Sequence, residues 1–258
     1  MCFRPRSFLL GVLFRHAASV QPSASSAVKT PHIFPLGDTA AVVEFGGGIS
    51  AATMRRIEAL GQQLARQPLP GLRETVPAYT TLTVFYDPAY PYEQVAAGLH
   101  AALAASETSP DAPMLQPAVV EIPVCYGSEY GPDLDAVAAH TGLDADEVIA
   151  RHAAPTYLVH LLGFLLGFPY LGGLDARLAT PRRASPRARV PAGAVGIAGT
   201  QTGIYPLASP GGWQLIGRTP LRLFNPAWPE PTRLRAGQQL RFVPISAAEF
   251  HVLNEYEH

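Results

Sequence analysis

Regular alternation of apolar and polar positions begins at Ile33. Ile33 to Leu36 and Ala41 to Phe45 read as two short strands joined through Gly37 and Asp38. Ser50 then stands as an N-cap before Ala51 to Arg66, where Ile57, Leu60 and Leu64 recur three and four apart, the spacing of one helix face. Pro68, Pro70 and Gly71 end that helix. Leu72 to Ala78 and Thr81 to Tyr86 read as strands, the second with Leu82, Val84 and Tyr86 on one face. A helix is expected from about Pro91 to Ala105, with the proline near its first turn. These elements predict a small α/β domain over 31–105.

Ser106 to Pro117 is rich in Ser, Pro and Asp and reads as a linker, 106–117. A strand over Val119 to Cys125 opens the next unit. Short helices are expected near Asp133 to His140 and Asp144 to His152, with Glu147 at capping-box spacing from Asp144. Beyond Pro155 the apolar runs are short and cut by Gly and Pro: Thr156 to Leu162, Val195 to Ala198, Trp213 to Gly217, Leu221 to Phe224 and Gln239 to Val243. Many short strands with turn signals between them predict a closed barrel or a sandwich over 118–247, followed by a tail, 248–258. The fold class is therefore α+β.

Composition narrows the function classes. Of 258 residues, 48% are hydrophobic and 15% charged, and the net charge of -1 excludes a general nucleic-acid binder. The 26 prolines fit a loop-rich β unit. Residues 1–30 carry Arg4, Arg6 and Arg15 and no acid, and are expected to be a disordered or misassigned extension. The apolar run Phe8 to Phe14 is too short to span a bilayer, and Arg15 and His16 follow it directly, so neither a membrane anchor nor a secretory signal is expected. Two cysteines, Cys2 and Cys125, imply no disulfide framework, and a cytoplasmic location is expected.

Familiar catalytic signatures are missing. Gly212 to Thr219 has the outline of a phosphate loop with Arg218 for lysine, but its interior Trp-Gln-Leu-Ile is a strand pattern and Pro220 follows. No metal-ligand spacing is visible, so no metal site is expected. Cys125, in an apolar strand, reads as a buried thiol. More informative is Ala176 to Pro229, which contains no Asp or Glu but holds Arg177, Arg182, Arg183, Arg187, Arg189, Arg218 and Arg222. Guanidinium groups in that number create a positive field suited to carboxylate or phosphate, or to an acidic partner surface. Glycines from Gly193 to Gly217 allow close backbone approach or simply permit tight barrel turns. Gln201, Thr202 and Tyr205 add neutral hydrogen-bonding groups suited to a polar amide.

Several runs of the chain resemble one family. Gly163-Phe164-Leu165-Leu166-Gly167-Phe168-Pro169-Tyr170-Leu171-Gly172-Gly173-Leu174 looks like the signature of the 5-oxoprolinase B-subunit family, also called allophanate hydrolase subunit 1 or Kip-type kinase inhibitors. Thr180 to Arg187, Val190 to Pro206 and Ser209 to Thr219 match too, as do Gly37-Asp38-Thr39-Ala40 and Val124-Cys125-Tyr126-Gly127. Leu166 departs from the proline usual there. The resemblance spans about residues 33 to 245. It implies an N-terminal α/β domain and a C-terminal cyclophilin-like β-barrel. It also implies a complex with a homologous C subunit and a separate A subunit that opens 5-oxoproline to glutamate at the expense of ATP. Which chain of that complex holds ATP is left open. Alternatives are inhibition of a sensor histidine kinase and a urea- or allophanate-processing role. Residue type and clustering nominate Arg182, Gln201 and Thr202 as catalytic, with His152 as a proton-transfer group, and Tyr205 and Arg218 as substrate-binding.

Overall fold

The computed structural model describes residues 30–107 and 119–257. The expected extension 1–30 lies outside them but for its last residue. Most of the expected linker lies outside them as well, while Ser106 and Glu107 belong to the preceding helix.

The first lobe is built from β1 (His32–Pro35), β2 (Ala40–Glu44), α1 (Ala51–Arg66), β3 (Leu72–Ala78), β4 (Thr81–Tyr86) and α2 (Tyr92–Glu107). Its four strands form an antiparallel sheet in the order β1-β2-β4-β3. Ser50 caps α1 as expected, its hydroxyl oxygen accepting the Thr53 N–H at 3.1 Å. The predicted stripe Ile57, Leu60 and Leu64 is fully buried, against Val43, Leu82 and Val84 of the sheet and Leu99 of α2. Burying each such side chain stabilises by about 1.5–3 kcal/mol.

The second lobe follows with β5 (Val120–Tyr126), α3 (Leu134–Thr141), α4 (Ala145–Ala153), β6 (Tyr157–Leu162), β7 (Pro169–Gly172), β8 (Arg187–Val190), β9 (Ala194–Ala198), β10 (Gln201–Ile204), β11 (Ser209–Gly211), β12 (Gln214–Arg218), β13 (Gln239–Pro244) and α5 (Ala247–Glu257). Seven strands close into a barrel in the order β10-β7-β6-β13-β5-β12-β9, so the sandwich alternative is excluded. Of its pairings, that of β5 with β13 is parallel. Ile122, Val124, Tyr157, Val159, Ile197 and Phe242 belong to its buried core.

Three expectations differ from the structure. Leu221 to Phe224 forms no strand: Leu223 is buried, but flanking Pro220 and Pro226 cannot donate to a ladder. The capping pair on α4 is half formed, since Asp144 accepts the Glu147 N–H at 2.7 Å while the Glu147 carboxylate turns to Arg151 instead. The stretch expected to be a tail is α5, anchored by buried Phe250, whose ring lies 4.7 Å from that of Tyr130.

Candidate functional site

The two lobes meet around Tyr79, the first residue of the two-residue turn joining β3 to β4. Its φ is 49°, a left-handed conformation that L side chains adopt at a cost and that hairpins usually give to Gly, Asn or Asp. The ring reaches the outside of the barrel, 6.0 Å from His160 and 6.3 Å from Tyr170 between centroids. Its hydroxyl accepts the Gln201 Nε2–H at 2.8 Å. Gln201 opens β10 and pairs with Ala198 across a tight turn, which points it at the neighbouring lobe. Burial raises the Tyr79 pKa, while the Gln201 donor and the positive charge of Arg182 oppose that rise.

Arg182 is exposed, and its charge also acts on Tyr170 and Tyr205. The segment that carries it is stapled by its neighbours. Arg183 and Arg187 donate to the same Asp133 carboxylate oxygen at 2.9 and 2.7 Å, and the other oxygen accepts the Leu215 N–H at 2.7 Å. Asp133 is only 3% exposed, so two cations and a backbone donor compensate one buried charge. Two of the clustered arginines thus serve the architecture, and Arg182 is left facing solvent at the seam.

On the other side of Tyr79 lies a cleft of about 370 Å³ between α1 and the outer surface of β6 and β7. Arg55 and Glu58 line it from α1, Thr156, Leu158 and His160 from β6 and the residue before it, and Gly172 from β7. Burial raises the Glu58 pKa, and Arg55 counters it. Burial lowers that of His160 and keeps the ring neutral near pH 7.

The residues nominated from the sequence are split between four places. Gln201 and Arg182 stand at the seam. His152 and Thr202 do not: both are 0% exposed inside the barrel. The Tyr126 hydroxyl donates to His152 Nδ1 at 2.8 Å, His152 Nε2–H donates to Thr202 Oγ1 at 2.9 Å, and that hydroxyl donates to the Gly196 carbonyl at 3.0 Å. The last bond uses the Thr202 proton, so His152 is held as the Nε2–H tautomer. Its ring stacks on Phe242 at 4.5 Å, and burial pushes its pKa down to about 3. A neutral imidazole with both nitrogens engaged and no exposed surface cannot exchange protons with a ligand. His152 is therefore a locking group of the core, and Thr202 is its partner.

Tyr205 is likewise withdrawn from solvent and from the seam. It is 1% exposed and packed edge-on to Phe168 at 5.2 Å, and burial raises its pKa. Arg218 lies at the other end of the barrel. It pairs with Ala194 of β9, whereas Gln201 pairs with Ala198, which separates them by about 13 Å along that strand. Arg218 Nε donates to the Ala192 carbonyl at 2.9 Å.

Tyr79, His160, Arg55 and Glu58 are not singled out by residue type or spacing. A bulky residue in Pro77-Ala78-Tyr79-Thr80, where a turn residue is normal, is the one local signal that points to the seam. Among the described residues no group of three His, Cys, Asp or Glu could hold a metal, and no helix is long and apolar enough to cross a membrane. Gly212 to Thr219 contains β12, not a phosphate loop. Cys125 is buried, and burial raises its pKa.

The chain is similar to proteins already known. The family model for the carboxyltransferase domain, subdomain C and D, matches residues 31–234. The B subunit of 5-oxoprolinase from Bacillus subtilis (strain 168) is 45% identical over 228 residues, covering 85% of this chain and 95% of that protein. The B subunit of 5-oxoprolinase from Escherichia coli O157:H7 is 46% identical over 211 residues, 81% of this chain and 94% of that one. Among solved structures, TTHA0988 superposes with a TM-score of 0.70 at 41% identity over 81% of this chain; the match spans only 40% of that longer chain.

Proposed function

The chain belongs to the carboxyltransferase-domain family, subdomains C and D, and on that footing we propose that it acts as the B subunit of a 5-oxoprolinase. The observation that carries this reading is near end-to-end similarity to proteins of that name. The reaction we assign to the assembled enzyme is opening of 5-oxo-L-proline to L-glutamate at the expense of ATP, with a homologous C subunit and an A subunit as partners. A reducing cytoplasm suits the free thiol of Cys125.

The chemistry asks for little from any single chain. A five-membered lactam is a stable amide, and activation at its oxygen makes the carbonyl carbon open to attack. Negative charge then builds on oxygen and is stabilised by donors fixed before the reaction begins. Gln201, oriented by Tyr79, and Arg182, projecting from the segment stapled by Asp133, are donors of that kind. The exposure of Arg182 at the seam supports a site that a second chain completes.

The test is glutamate release from 5-oxoproline and ATP by this chain mixed with its candidate A and C partners, alongside every omission. Activity that needs all three supports the reading. Activity that persists without this chain, or that never appears in a well-assembled complex, removes it. In the active mixture, Arg182→Ala and Gln201→Ala should each lower kcat/KM by roughly tenfold or more without preventing assembly.

A further inference from the structure

The strand β6 is irregular at one position. Val159 faces Leu171 and Leu161 faces Tyr170, so His160 is the extra residue of a β-bulge. Strand alternation already turns His160 to the same outer face as Leu158. Tyr157 and Val159 point into the barrel core, and His160 stands on the outside, on the wall of the cleft facing α1. The residue is 6% exposed and its Nδ1 has no hydrogen-bond partner among the described residues. A polar atom buried without a partner is an uncompensated loss of hydration, unusual for a core chosen for stability alone.

The opposite strand is shaped for this ring. A Cβ built on Gly172 would lie 1.9 Å from His160 Nε2, so only glycine permits the imidazole to sit there. Across the cleft Gly237, whose φ of 84° favours glycine, stands against the Glu58 carboxylate, where a Cβ would lie 1.4 Å from Oε1. Gly172 thus seats the His160 ring, and Gly237, in the turn before β13, borders the Glu58 carboxylate at the same cavity. Arg55 stands one helical turn before Glu58 and lines the same cavity. It is exposed, and none of the salt bridges between described residues engages it. A cation, a carboxyl group and a neutral imidazole thus surround a space of about 370 Å³, within the range of small-ligand sites, about 300–1,000 Å³.

We propose that this cleft binds a small carboxylate-bearing amide or amino acid, its carboxylate on Arg55, its N–H on Glu58 and its remaining polar group on His160. The planar guanidinium matches a carboxylate bidentately. The choice of acids rests on the 5-oxoprolinase reading: both the lactam substrate and the amino-acid product carry the required groups, and binding distinguishes them.

The full chain is titrated calorimetrically with 5-oxo-L-proline, with L-glutamate and with 2-pyrrolidone, which has the lactam and no carboxylate. Saturable binding of one or both acids is expected, with 2-pyrrolidone at least roughly tenfold weaker, the loss of one charged contact. Arg55→Gln and His160→Phe should each weaken the acid by roughly tenfold. His160→Asn keeps a polar group and serves if the phenylalanine variant does not fold. The His160 ring resonances should shift on addition of the binding acid. Failure of both acids to saturate, equal binding of 2-pyrrolidone, or wild-type affinity in both variants overturns the proposal. The readout is binding, so an active complex with an empty cleft sinks this inference alone, and a bound acid in an inactive complex sinks the enzyme reading alone.

Discussion

Replacing His152 tests how the barrel core is held together. In the unfolded chain this imidazole titrates near its ordinary value of 6.5, and in the fold burial pushes it down to about 3. Its folded pKa is depressed, so the folded state excludes a proton that the unfolded state accepts. The stabilisation is complete above the unfolded value and is lost progressively as pH falls from 6.5 toward 3. Between about pH 7 and about pH 5 the loss is about 2 kcal/mol, and by about pH 3 it is on the order of 4 kcal/mol. His152→Phe keeps the ring stacked on Phe242 but cannot be protonated, and it leaves the Tyr126 hydroxyl without its acceptor. That lost bond costs about 1–3 kcal/mol at every pH, and adding Tyr126→Phe should recover part of it. Urea denaturation of wild type and variant at about pH 7 and about pH 5 separates the two effects. The variant should be less stable at the higher pH but lose about 2 kcal/mol less on acidification. Equal pH dependence in the two proteins would refute the argument, because a titrating His152 would then have to be solvated in the fold.

Other perturbations follow from the same contacts. Asp133→Ala strips the compensation from Arg183, Arg187 and the Leu215 N–H, and should destabilise by about 3 kcal/mol or more in urea melts, with Asp133→Asn intermediate. Gly172→Ala should cost about 1–3 kcal/mol by driving a methyl into the His160 ring, and the double variant with His160→Ala should recover most of it in a thermal melt, since the clash is with that ring. Phe250→Ala should release α5 from the Tyr130 ring, read as faster hydrogen exchange along Ala247–Glu257 with the barrel amides unchanged. Ser50→Ala should cost about 1 kcal/mol through the lost cap of α1, and Ser50→Asp should retain most of the stability, both read from urea midpoints.

Features that depend on near neighbours were legible along the chain. The stripe Ile57, Leu60 and Leu64 specified α1 and its buried face, because three- and four-residue spacing is a property of one helical turn. Ser50 and Asp144 specified caps, since a cap joins residues three apart. Short apolar runs cut by Gly and Pro specified a β unit, and runs such as Gly163 to Leu174 specified the family.

Which polar side chains meet is settled by the fold. Tyr79 and Gln201 are 122 positions apart and share a hydrogen bond because the β3–β4 turn reaches the β10 edge. Asp133 draws in Arg183 and Arg187 from 50 and 54 positions away, which makes structural ions of two arginines whose clustering suggested an anion site. His152, Thr202 and Tyr205 look functional by residue type, yet barrel closure buries the first two and the β8–β11 ribbon with Trp213 covers the third. His160 reads locally as a polar residue in an apolar strand; alternation sets it on the face opposite Tyr157 and Val159, and only the packing of α1 against that face makes the surface a cleft. Register, closure and burial are long-range outcomes of pairing, and a single residue of slip exchanges the inside of a strand for its outside.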